Sequence, residues 1–178
     1  MYKYILFDFD GTVFDTVEGI TKSVQYALAK RGIEAELDSL RCFAGPPLVD
    51  MFMEKFDLTQ EEAEAATDDF RERYQPIGLY ECRVFPGIKE LLHALIGAGL
   101  HVGIATSKPQ HLAEKLLEGE GMLELFEVIS GSDSDGNNNS KAAVLTRAMN
   151  ALDADKKETV LVGDTKYDVA GAKACGVD

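Results

Sequence analysis

Three short apolar runs in this chain each end on a small group of acid, hydroxyl or glycine residues. Tyr2 to Phe9 runs into Asp10-Gly11, Leu100 to Ala105 into Thr106-Ser107, and Thr159 to Val162 into Gly163-Asp164. A weaker fourth run, Phe126 to Ile129, ends at Ser130-Gly131. Short apolar runs with turn residues at their carboxyl ends read as buried strands. Helical patterns lie between them. Gly87 to Gly97 spaces Ile88, Leu91, Leu92 and Leu95 at helical intervals, and Gln110 to Glu118 and Lys141 to Leu152 behave alike. Apolar strands alternating with helices indicate a parallel sheet with crossover helices. The expected fold class is α/β, a Rossmann-like parallel sheet with flanking helices.

One stretch breaks the alternation. From about Thr16 to Glu81 every pattern is helical: Val17 to Lys30, then Leu48 to Phe56 after the Gly45-Pro46-Pro47 break, then a helix opened by Thr59 with Glu62 at capping-box spacing. So long a helical stretch after the first strand exceeds a single crossover, and it predicts an inserted all-helical cap. The expected division is 1–15 with 82–178 as the catalytic core and 16–81 as the cap. Hinge strands are expected near Phe14 to Val17 and Tyr80 to Pro86. The polar segment Asp133 to Ser140 reads as a solvated turn.

The 178 residues carry 18 basic and 31 acidic side chains, a formal charge of −13. That balance argues against nucleic acid, whose backbone is met by clustered Lys and Arg. It leaves room for a small phosphorylated partner, because a divalent cation and a few lysines reverse the local potential at one site. Cys42, Cys82 and Cys175 are scattered, show no CxxC spacing, and are expected as buried or half-buried thiols of a reducing compartment. No apolar run approaches the ~20 residues of a membrane span. No signal-peptide pattern opens the chain, and a cytoplasmic protein is expected.

Ligands of open parallel sheets sit at the carboxyl ends of the strands. The residues there are Asp8, Asp10, Thr106, Ser107, Asp164 and Asp168, with Lys141 opening the helix after the polar loop. Carboxylates gathered at one edge repel one another, and burial raises the cost. A magnesium ion, which prefers hard oxygen ligands, resolves that conflict. A carboxylate can then attack phosphorus to give an aspartyl-phosphate while a second acid moves the proton. Bland alternatives exist for single residues: Asp-Gly is a common turn pair, Thr106 or Ser107 could cap a helix before Pro109, and Asp168 could stabilise a helix N-terminus.

Taken together, DFDGT at Asp8 to Thr12, ATSKP at Ala105 to Pro109, Lys141, and GDTKYD at Gly163 to Asp168 resemble the four ordered motifs of the haloacid dehalogenase-like superfamily. With the helical insert and FAGPPL at Phe43 to Leu48, the pattern looks most like phosphoglycolate phosphatase-type members. The resemblance implies a magnesium-dependent phosphatase acting on a small phosphorylated metabolite. In it Asp8 is nucleophile and metal ligand, and Asp10 is general acid/base and binds metal through its carbonyl. Thr106 and Lys141 hold the phosphoryl group, and Asp164 and Asp168 serve the metal. Gly11, Thr12, Ser107 and Lys108 are the candidate substrate contacts of the core, and Arg41 and Gly45 those of the cap. Family members usually continue past the position of Asp178 with a further strand and helix, so either a truncated chain or a sheet lacking an edge strand is expected. A monomer or homodimer fits equally.

Two other readings use similar residues. A phosphomutase of the same superfamily usually carries an EDS-type fourth motif where this chain has GDTKYD. A receiver-like phosphate-binding module carries its phosphorylated aspartate on a middle strand and lacks the insert.

Overall fold

The computed structural model describes residues 1–133 and 140–178. Most of the polar segment expected as a solvated turn, positions 134–139, therefore lies outside the described residues. In chain order the elements are β1 (Tyr4–Phe7), β2 (Phe14–Asp15), α1 (Val17–Ala29), α2 (Leu48–Phe56), α3 (Gln60–Tyr74), β3 (Arg83–Val84), α4 (Ile88–Gly97), β4 (His101–Pro109), α5 (Gln110–Gly119), β5 (Val128–Ser132), α6 (Lys141–Ala151), β6 (Thr159–Val162) and α7 (Lys166–Cys175). They divide into two compact units: Met1–Phe14 with Val84–Asp178, and Asp15–Arg83.

The first unit holds a four-stranded parallel sheet in the order β5-β4-β1-β6. Phe7 pairs with Ile104 on one side and with Val162 on the other. Strands buried on both faces read as continuous apolar runs, which is why β1 and β4 stand out in the sequence. The strand order reverses at β1, and in such sheets the crevice for ligands opens at the carboxyl ends beside the reversal. Leu6, Ala105, Val144, Leu145, Ala148, Ala172 and Val177 form one buried cluster. Each Leu or Val fully buried there contributes about 1.5–3 kcal/mol. That packing fixes α6, and with it Lys141 at its first turn. Ser140 accepts the Ala143 N–H at 3.2 Å and caps the same end.

The second unit is helical. α1 packs on α3, and α3 on α2, around Val24, Leu28, Leu40, Phe43, Phe52 and Phe70. The expected capping box is present: the Thr59 hydroxyl accepts from Glu62 N, and Glu62 accepts from Thr59 N. No described helix is long and apolar enough to cross a membrane.

Several expectations need correction. β4 does not stop at Ala105. It continues to Pro109 through an irregularity that restores pairing at Ser132, so Thr106, Ser107 and Lys108 lie on a strand. Neither Thr106 nor Ser107 caps α5, which starts after Pro109 without a side-chain cap. β5 begins two residues later than its apolar run, because Phe126 is packed in the turn before it. Leu37–Phe43, unassigned by periodicity, forms a 3-10 helix that buries Leu40 and Phe43. Cys42, on that segment, is exposed rather than buried.

Candidate active site

The Asp8 N–H donates to the Val162 carbonyl at 2.8 Å, so the ladder continues one residue past β1 and holds this aspartate at the crevice. The chain then turns at once. The Phe9 carbonyl accepts from the N–H groups of Thr12, Val13 and Phe14, and Gly11 takes φ +79°. A side chain at Gly11 would also be excluded by space, since its Cβ would lie 2.7 Å from the Asp164 carboxyl carbon. Thr12 Oγ1 donates to Asp164 Oδ1 at 3.3 Å, which ties this turn to the end of β6.

The irregular end of β4 brings two groups inward. Thr106 is buried and accepts the Lys108 N–H at 3.1 Å, so its own hydroxyl hydrogen is free to be given to a third group. Lys108 Nζ donates to Asp10 at 3.1 Å (Oδ1) and 3.4 Å (Oδ2). Ser107, between them, is half-buried.

At the centre lies Lys141. Its ammonium is 2.7 Å from Asp8 Oδ1 and 2.8 Å from Asp168 Oδ1, and it donates to the Ala105 carbonyl at 3.2 Å. Both carboxylate oxygens are buried and meet Lys141 as ion pairs rather than in hydrogen-bond geometry. Asp168 Oδ2 accepts from Thr165 N (2.9 Å) and Oγ1 (2.6 Å), the capping box of α7. Asp168 thus does stabilise a helix N-terminus, and its other oxygen faces the site.

Burial pushes the Asp8 carboxyl up to about 6 against the pull of Lys141, and Asp168 adds to the rise. Burial also acts to raise Asp168. Lys141 and the Thr165 hydrogen bonds outweigh it, and that carboxyl ends below its ordinary value. Burial raises Asp164 as well. The two partners of Lys141 thus move in opposite directions: burial prevails at Asp8, whereas Lys141 and the Thr165 donors prevail at Asp168.

Carboxylate oxygens of Asp8, Asp164 and Asp168 lie within 4.8 Å of one another. Lys108 offsets Asp10, and Lys141 offsets one of the other three acids. With all three ionised, two negative charges remain, which one divalent cation would balance. The donors are hard oxygens, the set that suits magnesium.

The candidates from the first unit therefore gather at one strand edge: Asp8, Asp10, Gly11, Thr12, Thr106, Lys108, Lys141, Asp164 and Asp168. Arg41 and Gly45 belong to the helical unit. Arg41 is exposed beside a hollow of about 530 Å³ with Asp38, Tyr80 and Arg83, and Gly45 has φ +107°. Two participants were not among the candidates. Thr165, which holds Asp168, was detectable as a Thr-x-x-Asp capping box. Gly171 left no such signal. A Cβ there would lie 2.5 Å from Lys141 Cγ, so its bareness lets the lysine stem pass.

A family model described as haloacid dehalogenase-like hydrolase matches residues 5–178. The chain belongs to that family. Known proteins align along nearly all of it. A 5'-nucleotidase from Pseudomonas aeruginosa is 41% identical over 177 residues, covering 99% of this chain and 80% of that protein. A phosphoglycolate phosphatase from Rhodospirillum rubrum is 30% identical over 188 residues, covering 99% and 78%. The crystal structure of a predicted phosphatase from Clostridium acetobutylicum superposes with a TM-score of 0.95 at 40% identity, covering 99% of this chain and 82% of that one. This member of the haloacid dehalogenase-like family is an enzyme, a phosphatase.

Proposed function

We propose that the chain hydrolyses a small phosphate monoester, of the phosphoglycolate phosphatase type, through an aspartyl-phosphate on Asp8 and with magnesium bound. The observation that carries this reading is the buried Lys141 ammonium set between Asp8 and Asp168, with Asp164 completing the acid cluster. Asp8 presents an oxygen for attack on phosphorus, and Lys141 offsets charge on the phosphoryl oxygens. Thr106 donates its free hydroxyl hydrogen to one of them. Asp10 gives a proton to the leaving oxygen and afterwards takes one from the attacking water. Asp8, Asp164, Asp168 and the Asp10 carbonyl would hold the magnesium, which supplies charge neutralisation at the phosphoryl group when bound. The helical unit, with Arg41 and Gly45, is read as the cap that selects the ester.

A second substrate reading has its own support. The 41% identical relative is named a 5'-nucleotidase, so nucleoside 5'-monophosphates belong beside phosphoglycolate in the first panel. Phosphate release from p-nitrophenyl phosphate, phosphoglycolate and nucleoside monophosphates should require magnesium and vanish with EDTA. Asp8→Asn should abolish it, a loss of at least about a thousandfold for a missing nucleophile. A well-folded wild type that releases nothing with magnesium would sink the proposal, as would undiminished turnover in Asp8→Asn.

A further inference from the structure

Lys108 stands next to the phosphate motif, and a basic residue there is naturally read as a substrate contact. Its surroundings say otherwise. The side chain is only 3% exposed, and the ammonium lies 5.6 Å from the centre of the Phe9 ring. Its Nζ reaches both oxygens of Asp10. The irregular end of β4 turns the residue inward, and its own N–H is engaged by Thr106. To grip a phosphate, Lys108 would have to give up Asp10 and the Phe9 face. A cation buried against a ring and paired with a carboxylate is costly to unpair.

We infer that Lys108 is a positioning residue: it holds the Asp10 carboxyl group aimed at the leaving oxygen, and it acts on the reaction through Asp10. This rests on the phosphatase reading above. An ammonium donates and never accepts, so it can hold one Asp10 oxygen while the other carries the proton. In the first step the Asp8 oxygen–phosphorus bond forms and the ester P–O bond breaks. The electron pair of the broken bond stays on the ester oxygen, which takes the proton from Asp10. Correct aim matters because proton transfer requires hydrogen-bond reach.

The test compares kcat/KM, which reports formation of the phospho-enzyme, for two kinds of ester. The leaving group of p-nitrophenyl phosphate departs without a proton, whereas that of phosphoglycolate or a nucleoside monophosphate needs one. Lys108→Met should lower kcat/KM for the best alkyl ester by about tenfold to a hundredfold, a share of what general acid catalysis supplies. For p-nitrophenyl phosphate the fall should stay within about threefold, since that ester makes little use of Asp10. Added to Asp10→Asn, the same substitution should bring little further loss, as expected of groups that act as one unit. If Lys108→Met fails to fold, Lys108→Gln is read the same way. Equal losses on both esters would identify a phosphate contact and overturn the inference, as would additive losses in the double variant. A wild type active on neither ester overturns the phosphatase reading itself and this inference with it.

Discussion

Asp8 combines two demands that conflict. Attack on phosphorus needs it ionised, and its burial disfavours the charge, lifting the carboxyl from an ordinary 3.8 to about 6. In the folded protein the proton is therefore held more tightly than in the unfolded chain. Between about pH 4 and pH 6 the native state binds the extra proton, so the contribution of Asp8 to stability falls as pH rises through that window and is constant above it. At about 1.4 kcal/mol per pH unit, the difference amounts to ~3 kcal/mol. Asp8→Asn removes it. In metal-free buffer the thermal midpoint of Asp8→Asn should draw ahead of the wild type as pH climbs from 4 to 6.5, then keep a constant lead. A variant less stable than the wild type at pH 8 would show that the Lys141 pair outweighs the burial. At this scale the site was largely legible, because carboxylates and lysine at strand ends are types that the chemistry needs. The Lys108–Asp10 pair was not, because it depends on an irregularity in β4 that no residue type announces. Gly171 was hidden for a similar reason: a bare position on a helix acquires its meaning from Lys141, thirty positions away along the chain.

Among the elements, α1 shows how a close approach is built. Gly19 stands in its first turn, and any Cβ there would fall on the Gly78 carbonyl group. The Gly19 N–H donates to the Glu81 carbonyl at 3.1 Å. The Glu81 carboxylate accepts from Lys22 at 3.0 Å and from Arg73 at 2.9 Å and 3.2 Å, which links α1, α3 and the returning chain within the helical unit. Gly19→Ala should force α1 off that segment. An overpacked methyl costs about 1–3 kcal/mol, and more when the opposing atoms are backbone. Chemical denaturation should show a loss of at least about 2 kcal/mol on the same grounds. A loss below the few tenths expected of a surface change would mean that the segment moves aside freely. Here the sequence was half legible. Periodicity predicted the span of α2 from Leu48 to Phe56, and the Thr59–Glu62 box gave the start of α3. The 3-10 turn at Leu37–Phe43 escaped notice because three-residue periodicity over seven positions leaves too few apolar residues to count.

For the whole molecule, the position of the acid cluster has a consequence for folding. Asp8, Asp164 and Asp168 all belong to the unit formed by Met1–Phe14 and Val84–Asp178, and the Asp15–Arg83 unit has its own core. A cation that binds the native cluster and not the unfolded chain stabilises by about 2.7 kcal/mol at a concentration a hundred times its Kd. That gain reaches those amides whose exchange requires the cluster to come apart. With magnesium added, hydrogen exchange should slow in β1, β4, β6 and α6 while α1 and α3 keep their metal-free rates. Asp164→Asn should remove most of the effect by deleting one ligand. Calcium at the same concentration serves as the control, since its larger coordination shell is less suited to a cluster of three carboxylates. Equal slowing in α1 and α3 would mean that the two units open together, so that metal bound in one holds both. Unchanged exchange everywhere would mean that the cluster does not take up magnesium, and the metal reading would then have to be given up.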